Sequence, residues 1–78
     1  MEKKYVVEVE ETTEHPCEAL CGGTSTYTMN AKELVEFMSE LMVEHDYKKL
    51  GRHCNSWYAE WDRGLYFCTS TVSVREQA

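Results

Sequence analysis

Sulfur and imidazole are the groups in this chain best suited to chemistry: Cys17, Cys21, Cys54 and Cys68, with His15, His45 and His53. Cys17 and Cys21 fall in the stretch HPCEALCGG, and Cys54 directly follows His53. Structural zinc takes four N or S ligands in a tetrahedron, commonly from short-range pairs. A helical turn through Glu18, Ala19 and Leu20 would set Cys17 and Cys21 on one side with His15 just before them, and Cys54 or His53 would complete the set. Only one of that adjacent pair can ligate readily from a strand, because neighbouring strand residues point to opposite faces. The same thiols also allow a local disulfide between Cys17 and Cys21, closing a very short loop with modest gain in stability. Free, reduced cysteines are the third reading.

The redox setting bears on that choice. The N-terminal run MEKKYVVEVEE has neither a continuous apolar segment nor a small-residue cleavage site, so no signal or transit peptide is expected. No stretch is apolar enough to span a membrane. The expected location is cytoplasmic, where thiols stay free or metal-bound. No C-x-x-C redox motif is present.

Other catalytic chemistry finds little support. The chain has no G-x-S-x-G, no H-E-x-x-H and no phosphate-binding loop, and strand geometry would scatter His53, Cys54 and Glu60. The expectation is a protein that is not an enzyme and carries no cofactor, with zinc at His15, Cys17, Cys21 and Cys54 as the alternative. Net charge of −6 disfavours direct nucleic-acid binding, which draws on Lys and Arg, and suits a basic protein partner.

The positioning elements follow from periodicity. Residues 3–12 alternate, with Tyr5, Val7 and Val9 on one side and Lys4, Glu8 and Glu10 on the other, so a half-buried strand is predicted. From Thr13 to Gly23 the alternation fails and a loop is expected. Thr24–Met29 reads as a second strand, with Ser25, Tyr27 and Met29 on one face and a threonine row on the other.

Asn30 with Glu33 forms a capping-box pattern at a helix start. Leu34, Phe37, Met38, Leu41, Met42 and His45 then draw one apolar stripe, in which His45 is a packed residue or a charge at the helix C-terminus. Gly51 ends the ambiguous segment beyond it.

The last third reads as a hairpin. With Arg63 and Gly64 as a two-residue turn, Trp61 faces Tyr66, Ala59 faces Cys68 and Trp57 faces Ser70. That register gathers Trp57, Ala59, Trp61, Tyr66, Cys68, Val72 and Val74 on one face. It makes Cys68 a core residue and places Cys54 on the opposite face, roughly 17 Å away along the strands, beyond disulfide reach.

The expected fold is therefore α+β: a single β-β-α-β-β domain over residues 1–78, a four-stranded antiparallel sheet with one amphipathic helix packed on one face. A domain this size buries only roughly 60% of its unfolded surface, so its stability margin is thin.

Two surfaces are candidates for a partner. Glu33, Glu36, Glu40 and Glu44 form an acidic row along the helix; like charges at i, i+4 cost about 0.2–0.5 kcal/mol per pair. Such a row can occupy a basic groove meant for nucleic acid. On the sheet face away from the helix, Tyr58 and Phe67, with Leu65 and Val6, stand among threonines and serines as a partner or homodimer surface. By its small size, acidity, compact α+β plan and lack of catalytic motifs, the chain resembles small phage-encoded accessory proteins, anti-CRISPR inhibitors among them. That resemblance implies a non-enzymatic binder that docks on a larger, nucleic-acid-binding protein complex.

Overall fold

A computed structural model describes residues 3–15, 18–52 and 55–77, with the side chains of residues 15 and 18–21 outside that description. Its elements are β1 (Lys4–His15), β2 (Glu18–Asn30), α1 (Ala31–Glu44), β3 (Lys48–Lys49), β4 (Ser56–Arg63) and β5 (Tyr66–Glu76). All strand pairs are antiparallel, in the order β2-β1-β5-β4-β3. The N- and C-terminal strands thus lie side by side, and the longest elements stretch the molecule to 50 × 21 × 20 Å.

This five-stranded sheet corrects the expectation of four strands. The extra strand is Lys48–Lys49, which pairs with Tyr58 and Trp57. Two exposed lysines show no hydrophobic alternation, so nothing in their composition marks them as a strand. The expected loop over Thr13–Gly23 is also corrected where it is described. β1 continues to His15 and β2 begins at Glu18, with Glu11 opposite Gly23, Thr12 opposite Gly22, Thr13 opposite Cys21 and an irregularity before His15. Backbone pairing holds this extension without an apolar stripe. Gly22 suits it: a Cβ there would lie 2.7 Å from the backbone oxygen of Glu11.

In the β4–β5 hairpin the turn is Gly64-Leu65, one residue later than expected, and the partners become Arg63 with Tyr66, Trp61 with Cys68, Ala59 with Ser70 and Trp57 with Val72. Gly64 has φ +66° and Leu65 does not enter the positive region, the sequence preference of a II′ turn. The register has moved by two residues against expectation. Because side chains alternate with period two, every residue keeps its face.

One face of the sheet carries the core. Val7 and Val72 are fully buried, Val9 and Met29 nearly so, and Leu34, Phe37, Met38, Leu41, Tyr47 and Val74 pack against them. Complete burial of each valine contributes roughly 1.5–3 kcal/mol. Four members of the expected helix stripe are in that cluster, whereas Met42 is exposed, and no residue of α1 is fully buried. The helix rests on the sheet rather than sinking into it. Its start is fixed by the expected reciprocal cap: the Glu33 amide donates to Asn30 Oδ1 at 2.8 Å, and the Asn30 amide to Glu33 Oε1 at 3.1 Å.

Past the helix end, the His45 amide donates to the Leu41 carbonyl and the His45 ring stacks on Trp61, centroids 3.7 Å apart and planes 10° from parallel. His45 is thus a packed residue closing the core above β4. No helix among the described residues is long and apolar enough to cross a membrane.

Candidate protein-docking site

β2 is an outer strand of the sheet, and α1 begins at the residue after it ends. Since Leu34, Phe37, Met38 and Leu41 turn onto the core, helical periodicity directs Glu33, Glu36 and Glu40 to the flank of α1 that overlooks β2. The result is an open cleft of about 590 Å³ lined by Thr26, Tyr27, Thr28 and Met29 on the strand and by Glu33, Glu36, Phe37 and Glu40 on the helix. The Tyr27 and Phe37 rings meet across it with centroids 5.8 Å apart, and Tyr27 keeps 46% of its surface exposed.

The carboxylates are not equivalent. Glu33 accepts the Asn30 amide and so is committed to the helix cap. Glu36, Glu40 and Glu44 are exposed, and among the described residues none of them forms an ion pair; the two exposed pairs are Lys3–Glu76 and Arg75–Glu8, at 3.4 and 3.9 Å. Glu44 lies beyond the cleft, with Ser39, Glu40 and Val43 on the outer side of the helix. The row read from the sequence is therefore divided by its surroundings into a capping group, two cleft groups and one outward group.

The opposite face of the sheet is dominated by hydroxyl and carboxylate groups. Register places Glu8, Glu10 and Glu14 of β1 on it with Glu60 and Asp62 of β4, all exposed, together with the exposed Lys4, Lys48 and Arg75, among Thr12, Thr24, Thr26, Thr28, Thr69, Thr71 and Ser73. Tyr58 pairs with Thr71, and Phe67 lies four residues back along β5, about 13 Å away, beyond Thr69 and next to Asp62. Phe67 and Leu65 are exposed, whereas Val6 is buried at 7% and adds nothing to a surface patch. The aromatic groups are thus separated by polar rungs rather than joined. Desolvation, and then the neighbouring Glu60 carboxylate, which accepts a hydrogen bond from it, raise the Tyr58 hydroxyl above its ordinary value of 10.0.

Of the candidate metal ligands, Cys17, His53 and Cys54 lie outside the described residues, as do the side chains of His15 and Cys21. The helical turn expected to gather the two loop thiols is not formed, since Glu18, Ala19 and Leu20 belong to β2. The described residues contain no cluster of three or more metal-ligating side chains. Cys68 is free and buried, as its place in the hairpin implied, with its Sγ 3.9 Å from Thr13 Oγ1.

Sequence periodicity identified the glutamates but not the strand edge facing them. A signal was present: between Gly22 and Asn30 the chain has neither a charge nor a proline. No protein-family model matches this chain, and neither a curated protein nor a solved structure matches it.

Proposed function

We propose that this protein is a non-enzymatic binding module that docks on a basic surface of a larger protein, in the manner of an inhibitor that competes with nucleic acid for that surface. The observation that carries this reading is the cleft between β2 and α1, whose Glu36 and Glu40 carboxylates are exposed and unpaired among the described residues. A carboxylate retained in water without a partner costs the free protein little and is available to a lysine or arginine brought to it. On the open sheet face Glu10, Glu14, Glu60 and Asp62, which form no ion pair among the described residues, outnumber the exposed Lys4 and Lys48 and add to the same field, while Glu8 is paired with Arg75. A cytoplasmic host protein in a cell infected by phage belongs to this proposal as its setting.

The test compares the immobilised wild-type chain with the triple variant Glu36→Gln, Glu40→Gln, Glu44→Gln in capture from a host lysate. Host proteins held by the wild type at low salt should be lost both with the variant and at high salt, because exposed charge interactions are screened. Retention indifferent to both changes overturns the reading.

A further inference from the structure

The two edges of this sheet are finished in different ways. On one side β3 is two residues long and both are exposed lysines, the usual means of keeping a sheet edge from pairing with another chain. On the other, β2 runs for 13 residues, and from Gly22 to Thr28 every residue is exposed. In an antiparallel strand, alternate residues direct both backbone groups to the same neighbour. β1 takes one set; the other points outward, and no backbone partner for it exists among the described residues. Neither lysine nor proline interrupts this edge, and the cleft runs beside its last rungs.

We infer that β2 is a strand-addition site that receives an extended segment of another protein, antiparallel to Thr24–Met29, with Lys or Arg at alternate positions. Main-chain hydrogen bonds to β2 supply the register, and the helix supplies the choice of side chain. Residues of the incoming strand that share the face of Ser25, Tyr27 and Met29 pass beneath Glu36 and Glu40. Those glutamates are four residues apart, about 6 Å along the helix axis. Alternate residues of a strand are about 6.8 Å apart, and Glu36 and Glu40 both line the cleft beside this edge, so long basic side chains at alternate positions reach toward them. The remaining positions face the threonine row, where β-branched side chains fit the pleat.

Charge also decides against a second copy as the occupant. Two β2 edges pair antiparallel about an axis normal to the sheet, which leaves both helices on the same side. The two rows of Glu33, Glu36 and Glu40 would then face each other in chains that each carry −6.

This inference rests on the docking reading above, and its test separates the two. The probe is a capped seven-residue peptide alternating lysine and valine, with two further versions N-methylated either at every lysine or at every valine. Lysines confined to the helix side fix which set of amides faces β2, so one N-methylated version should bind at least tenfold more weakly and the other like the parent. Binding should slow hydrogen exchange at alternate amides between Thr24 and Met29.

Equal binding of all three peptides, absent protection in β2, or no binding of the parent at millimolar concentration overturns strand addition. So does a dimer of the chain alone that protects the same amides. The variant Glu36→Gln, Glu40→Gln discriminates the electrostatic reading. Loss of affinity together with equal binding of all three peptides keeps acidic docking and removes strand addition, whereas preserved parity with unchanged affinity does the reverse.

Discussion

The imidazole of His45 lies flat on the indole of Trp61, 3.7 Å between centroids, and ties the end of α1 to β4, two strands beyond β1. Tyr47 approaches the same imidazole edge-on at 6.4 Å. Because α1 has no fully buried residue, this contact adds to the packing of Met38 and Leu41 in holding its C-terminal end down.

His45→Ala should therefore destabilise the fold by more than the lost area alone, by about 0.5–1.5 kcal/mol for the ring pair, and shift Trp emission to longer wavelength. Chemical denaturation followed by fluorescence checks both, with Trp57→Phe as background so that Trp61 alone reports. An unchanged midpoint and spectrum would show that the stack contributes nothing.

Gly22 and Gly23 are adjacent, and only one has a close neighbour. Gly22→Ala should cost about 1–3 kcal/mol, because the new methyl meets the Glu11 backbone oxygen at 2.7 Å and backbone must move. Gly23→Ala meets nothing within 4 Å, and its φ is not positive, so it should be tolerated or raise stability by about 0.4–1 kcal/mol. Thermal melts of the two variants decide it; equal losses would mean that the hairpin is not paired in this register.

Ser70 is 1% exposed, and its hydroxyl finds no hydrogen-bond partner among the described residues. A buried hydroxyl without a partner costs about 1–3 kcal/mol, so Ser70→Ala should raise the unfolding midpoint. Val72→Ala, one face-sharing position along β5, should lower it through the cavity it leaves. Destabilisation by Ser70→Ala would show that the hydroxyl has a partner.

Tyr58 should ionise above the ordinary value of 10.0, chiefly from desolvation and secondarily from Glu60. Glu60→Gln should bring it down only in part, since the larger cause remains. The sign for stability follows: the neutral phenol is favoured in the folded chain, so its contribution is full below about pH 10 and is lost as pH rises through the folded value. Tyrosinate absorbance compared between wild type, Tyr58→Phe and Glu60→Gln measures this, and titration of Tyr58 below 10 would contradict the placement of Glu60 beside it.

Parity was legible wherever apolar residues alternate. The alternation of Tyr5, Val7 and Val9, the stripe from Leu34 to Leu41, the Asn30–Glu33 cap and the facing of Trp57, Cys68 and Val72 all follow from local period and hydrogen-bonding chemistry, and they survive even a two-residue error in the hairpin register. What escaped was held by backbone alone. Lys48–Lys49 and the far ends of β1 and β2 pair through amides and carbonyls, which every residue possesses and no composition reveals.

The candidate site divides along the same line. Sequence determined that Glu36 and Glu40 share a helix flank, because spacing on a helix is fixed by its 3.6-residue turn. Only the tertiary structure decided what that flank overlooks. Strand order is set by which long-range pairings bury Val7 and Val72 in the middle of the sheet, and that choice left β2 at an edge beneath the glutamates.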